Sequence, residues 1–196
     1  MIDNVLEVIK SEIDTFFKLK MRDTKEQYIH LVPVIDQEGK SSVSENTICM
    51  TLVQIEEDKI NMSNSTQIEY NENGAQFYKA PVKLNLYILF SASTSDGQEK
   101  NYKEALKRIS RVIAFFQSKN VFTPSNTPML DPEVGKLTVE LFNMDLEEQN
   151  KLWSMLGGIY RPSVLYKFSA LLVREKRELS SGGPVLEKDF EIKEKQ

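Results

Sequence analysis

A chain of 196 residues, 40% hydrophobic and 28% charged, has the make-up of an ordinary globular domain and is long enough for one substantial core. Its net charge of −4 argues against a nucleic-acid footprint, which needs a basic balance. Cys49 stands alone, so no intramolecular disulfide can form and a reducing cytoplasm is the expected site of folding; Met1 runs straight into charged, periodic sequence without a signal-peptide core, and no apolar run nears the ~20 residues of a membrane span.

The opening stretch, MIDNVLEVIKSEIDTFFKLK, sets Val5, Leu6, Ile9, Ile13, Phe16 and Phe17 on one helical face, with Asp3 or Asn4 as N-cap. QYIHLVPVI (27–35) reads as a strand, and Pro33 puts it at a sheet edge or near its own end. TICMTLVQIEE (47–57) is apolar on both faces at its start, Ile48, Met50 and Leu52 against Cys49, Val53 and Ile55, which fits a central strand. From Asp58 to Ala80 the chain turns polar and asparagine-rich, and Asn73-Gly74 signals a turn in an extended loop or projecting hairpin.

VKLNLYILFSAS (82–93) is the clearest strand, with Val82, Leu84, Leu86, Ile88 and Phe90 along one face. The long helix that follows carries Tyr102, Leu106, Ile109, Val112, Ile113 and Phe116 at helical spacing, with Ser95 or Asp96 as its cap and Asn120 at its end. TPSNTPMLDPEVG (123–135) holds three prolines and is expected to be irregular, while KLTVELF (136–142) alternates as a strand. Asp145 and Glu148 form a capping-box pattern for a helix from Leu146 to a Gly157-Gly158 stop. Trp153 and Leu156 face inward from that helix, and Pro162 leads into a strand at 164–173.

Intermingled strands and helices without a central linker predict a single α/β (α+β) domain over 1–175, a mixed sheet flanked by helices. Residues 176–196 read as a C-terminal arm or flexible tail. In and beside this tail, Arg174, Lys176 and Arg177 are charged, and Val185, Leu186, Phe190 and Ile192 form a short apolar group unable to make a core alone. These seven residues are the suspected partner interface; an alternating segment of this kind can add to a partner's sheet edge, with Gly182-Gly183 as hinge.

Candidate chemistry is sparse. His30 has no second histidine to share a zinc site, and Cys49 sits in an apolar strand where a thiol is a poor nucleophile. Glu56, Glu57 and Asp58 could hold a hard cation but read as a solvated turn. Lys107, Arg108 and Arg111 read as the solvated face of a helix. No phosphate-binding glycine loop occurs, because Gly157-Gly158 and Gly182-Gly183 follow helices instead of opening them. The sequence therefore predicts no catalytic residue, no metal site and no cofactor.

Taken in order, MIDNVLEVIKSEI, ICMTLVQIEED, APVKLNLYILFSA, YKEALKRISRVIAFFQ, VFTP and LTVELFNMDLEEQNKLWSMLGGIYRPSVLYK resemble the N-terminal domain family of tail-terminator, or cap, proteins of contractile injection systems, over roughly residues 1–175. The resemblance implies a fold similar to phage tail terminators and a structural, non-enzymatic role. Such a protein forms a ring, expected to be a hexamer, on the distal end of the inner tube and sheath, and ends polymerisation. Its partners would be copies of itself and the tube and sheath proteins, with no nucleic acid and no membrane span. Assembly would take place in the bacterial cytoplasm, within an injection particle that can be released. The alternatives are a baseplate or adaptor subunit of a related secretion machine, and a small ligand-binding domain or enzyme built on His30, Cys49 or the acidic triplet.

Overall fold

The computed structural model describes residues 2–21, 27–36, 38, 42, 47–58, 67–71, 74–78, 82–93, 98–157, 159–172 and 178–182. Its elements run α1 (Ile2–Met21), β1 (Ile29–Leu31), β2 (Ile48–Glu57), β3 (Gln67–Asn71), β4 (Gly74–Tyr78), β5 (Val82–Ala92), α2 (Glu99–Ser118), β6 (Val121–Phe122), a 3₁₀ turn (Pro132–Val134), β7 (Leu137–Phe142), α3 (Leu146–Met155), β8 (Ser163–Leu172) and β9 (Glu178–Gly182). Six strands form a mixed sheet in the order β1-β2-β5-β8-β7-β6, with only the β1/β2 pair parallel. The α/β fold class expected from the sequence is the one observed.

The alternation of β5 decides where the core lies, because period-2 side chains point to opposite sides of a sheet. Leu86, Ile88 and Phe90 are fully buried against α1 and α2, together with Met50 of β2 and Phe168 of β8. Helix α1 contributes Val5, Leu6, Ile9, Ile13 and Phe17 as its apolar spacing predicts, with Phe16 partly buried. Phe116 of α2 packs on Tyr166 at 4.4 Å between ring centroids and on Phe168 at 5.6 Å. Each such side chain contributes roughly 1.5–3 kcal/mol on burial, so this face carries most of the stability. Asp14 of α1 is buried and accepts the backbone N–H groups of Tyr28 (2.6 Å) and Ile29 (3.3 Å), which ties the start of β1 to the helix.

The opposite face is thinner. Val34, Leu89, Trp153 and Leu165 form its buried cluster under α3, flanked by Val53, Ile35 and Leu156. Val34 reaches this side because β1 stops at Leu31, ahead of Pro33; the strand is a short sheet edge where the sequence suggested one over 27–35. A register shift between Leu52 and Gln54 of β2 sets Ile55 opposite Leu86, so it leaves the Cys49/Val53 side on which simple alternation placed it.

A second, three-stranded sheet has the order β3-β4-β9. The asparagine-rich stretch thus contains a hairpin, with Gly74 in β4 opposite Asn71, where the Asn73-Gly74 signal suggested a turn centred on that pair. Residues 72 and 73 lie outside the described residues. The chain leaves the main sheet for the hairpin at Glu57 and returns at Val82, and Leu172 of β8 pairs with Val82, so all connections to the second sheet start from one end of the main sheet. Short strands β6 and β9 and the 3₁₀ turn in the proline-rich loop have no counterpart in the sequence reading. The turn is capped by Asp131, which accepts from the N–H of Glu133, and it buries Val134. Asn4 lies inside α1 instead of capping it; its side chain accepts the Asp131 N–H at 3.0 Å, holding this loop to the helix.

Candidate interaction surfaces

The residues with catalytic potential are dispersed or quenched. His30 and Cys49 do stand opposite each other in the parallel β1/β2 register. Burial, however, pushes the Cys49 thiol above its ordinary pKa, and the opposing pull of Arg161 does not reverse this. A buried thiol held protonated is a poor nucleophile. Glu56 and Glu57 lie opposite Asn85 and Leu84, on alternate sides of the sheet. Glu56 accepts a 2.7 Å hydrogen bond from the Tyr87 hydroxyl, and Asp58 is paired with Lys83 at 2.8 Å. The Tyr87 phenol is pushed up to about 12, first by burial and then by Glu56. Among the described residues no cluster of His, Cys, Asp and Glu could hold a metal ion, and no helix is long and apolar enough to cross a membrane.

The basic cluster needs a correction. Arg108 is buried at 4% exposure within α2, not solvated, and burial draws its guanidinium pKa down against the pull of Glu104. The apolar arc of α2 is broader than one face, and the side that meets the sheet is Ala105, Ile109, Val112, Phe115 and Phe116. Arg108 lies on that side, its aliphatic stem suited to packing. Tyr102 and Leu106, expected in the core, are instead 46% and 43% exposed. Gln98 stands at the N-cap without a side-chain capping hydrogen bond, and Lys119 ends the helix in place of Asn120. Ser95 and Asp96 lie outside the described residues.

Around α3 the local signals act as the sequence predicts. Asp145 accepts the Glu148 N–H at 2.7 Å while Glu148 accepts the Asp145 N–H at 3.0 Å, closing a capping box. Gly157 follows the helix at φ +67°, where a left-handed backbone favours glycine. Trp153 is 3% exposed and packs with Leu89 and Leu165 as the anchor of α3. The outer side of the same segment was not foreseen: Leu146, Ile159, Met155 and Tyr160 stand 55–86% exposed. Leu146, Gln149, Asn150, Ser154 and Tyr160 rim a groove of about 280 Å³ over Trp153. Tyr160 meets the indole edge to face at 5.9 Å, and the indole Nε1–H is buried with no acceptor among the described residues. A groove of this size falls just under the ~300–1,000 Å³ of ligand sites, and its rim mixes the apolar Leu146 and Tyr160 with the polar Gln149, Asn150 and Ser154.

The suspected interface residues Arg174, Lys176, Arg177, Val185, Leu186, Phe190 and Ile192 lie outside the described residues. Between them, Glu178–Gly182 pairs with β4 of its own chain, Gly182 opposite Ala75.

A family model described as the Pvc16 N-terminal domain matches residues 4–187. The chain belongs to the Pvc16 N-terminal domain family. No curated protein matches it. Among solved structures, it is similar to the PVC sheath/tube terminator of an extracellular contractile injection system in its extended state, with a TM-score of 0.67 and 14% identity. That match covers 100% of this chain and 64% of the terminator. It is also similar to the tube-terminating cap of the anti-feeding prophage, with a TM-score of 0.62 and 14% identity over 94% of this chain and 60% of the cap. The chain therefore spans just under two thirds of the length of these relatives. At this identity the likeness is one of fold.

Proposed function

We propose that this member of the Pvc16 N-terminal domain family is a structural tube and sheath terminator. It forms a ring, expected to be hexameric, on the distal end of a contractile injection particle and ends polymerisation there. The observation that carries this reading is the family match over residues 4–187, joined to a terminator-like fold along the whole chain. The buried Cys49 thiol, with its raised pKa, and the engagement of Glu56 by Tyr87 and of Asp58 by Lys83 agree with a role in assembly. The ring assembles in the bacterial cytoplasm as part of a particle that can be released, with the tube and sheath proteins as its partners.

Residues 176–196 complete the proposal as an arm. Its first strand, β9, is anchored on β4. The charged Arg174, Lys176 and Arg177 and the apolar Val185, Leu186, Phe190 and Ile192 reach a neighbouring subunit or the sheath, adding a strand to an exposed edge. Electron microscopy of purified particles tests the whole reading. A ring of this chain at the end opposite the baseplate is expected; the chain at the baseplate end would overturn it in favour of an adaptor role.

A further inference from the structure

Exposed apolar residues on α2, and on and just after α3, form two patches. Tyr102 and Leu106 lie one turn apart on the outer side of α2, on the face of the sheet that holds the larger core. Leu146 and Tyr160 rim the groove of α3 on the other face, and Ile159, next to Tyr160 in the chain, is exposed as well. Both stand at the same end of the strands. Ala105 of α2 packs with Ala92 at the end of β5, and Trp153 of α3 packs with Leu89 and Leu165, close to that same end. The charges around them are opposite. With the buried Arg108 left aside, residues 99–111 carry four basic and two acidic side chains, and residues 145–160 carry three acidic and one basic. The ion pairs within each patch, such as Lys107–Glu104 and Lys151–Glu147 at 2.6 Å, are exposed and weakly held, so they can exchange partners across a contact.

We infer that copies of this chain join side by side, the Tyr102–Leu106 ridge of α2 on one copy docking over the α3 groove of the next. This inference rests on the ring reading and names its interface. A closed ring needs two different, complementary surfaces on each subunit, repeated around an axis. Two patches of opposite charge, on opposite faces and at one level, meet that requirement with a single kind of contact. A foreign partner for either patch would leave the other uncovered. The groove is sized for side chains, and aromatic and aliphatic anchors seated in such pockets carry most of the affinity of a protein interface.

Sedimentation of the full chain tests this with three variants, Leu106→Asp, Leu146→Asp and Leu19→Asp. Leu106, Leu146 and Leu19 are all exposed, so the fold is expected to survive, as circular dichroism will confirm. Wild type and Leu19→Asp should form the closed oligomer. Leu106→Asp and Leu146→Asp alone should sediment as 22.6 kDa monomers, their association weakened by at least about thirtyfold. An equimolar mixture of those two should form dimers and no ring, because each pair retains one intact contact. Rings from either patch variant, a mixture that stays monomeric, or loss of assembly in Leu19→Asp would overturn the inference while leaving the ring reading standing. A wild-type chain that stays monomeric even with the tube protein present would overturn the ring reading, and the inference with it.

Discussion

The two faces of the main sheet are built from the same strands and end in different states. On the α1/α2 face, Phe90, Phe116, Tyr166 and Phe168 interlock as aromatic neighbours within one continuous core. On the α3 face, Trp153 of a ten-residue helix is held by three other buried side chains, and much of that helix's apolar surface points outward. The contrast separates what makes the fold stable from what is left to meet other molecules: on the larger face the apolar groups between helices and sheet are covered and Tyr102 and Leu106 stay exposed on the outer side of α2, while on the α3 face the cover itself is thin and a groove opens over Trp153.

Truncations on each face should sharpen this contrast most. Phe168→Ala and Trp153→Ala are both large-to-small core changes, for which about 3–5 kcal/mol is expected. Phe168, walled in on all sides, should fall at the upper end. Trp153, with a groove above it, should fall at the lower end. Urea unfolding measures both; a Trp153→Ala loss below about 1 kcal/mol would mean that α3 is not anchored by its indole.

Alkaline titration probes the larger core next. Burial pushes the Tyr166 phenol up to about 12 from its ordinary value near 10. The folded state thus favours the neutral phenol, and the unfolded chain releases its proton first. The resulting stability is fully present below pH ~10 and is lost as the pH climbs to ~12, by roughly 2–3 kcal/mol at most. Tyr166→Phe should flatten that decline, measured by denaturant midpoints across the range; an unchanged slope would show the phenol to be solvated.

The smallest effect belongs to the α3 face. A Cβ at Gly157 would stand 2.9 Å from Ile35 Cδ1 at a backbone φ of +67°. Gly157→Ala should therefore cost about 1–2 kcal/mol, with Ile35 giving way. Because Ile35 flanks the α3 cluster alone, thermal melts should show loosening there without loss of the larger core's aromatic signature.

Much of this was legible in the sequence because local chemistry and tertiary demand agree. The alternation of β5, the inner face of α1, the Asp145–Glu148 box and the glycine after α3 all do in the structure what their residue types favour. The departures arise where a distant element decides. Helix α2 has a broad apolar arc, and which part of it meets the sheet depends on the crossing of helix and strands, so Arg108 is buried while Tyr102 and Leu106 are exposed. Strand β6, two residues long, is too short to show a period, and β9 (ELSSG) has a single apolar residue and so no alternation; they pair along β7 and β4. The groove over Trp153 gave no signal, since Leu146 and Tyr160 look like core residues until the fold turns them outward.

Removing the gene and measuring particle lengths by electron microscopy is the most direct test of a terminator. The account predicts tubes of uncontrolled length or unstable sheaths while tube and sheath subunits are still produced. Uniform particles of normal length from the deletion strain would contradict it.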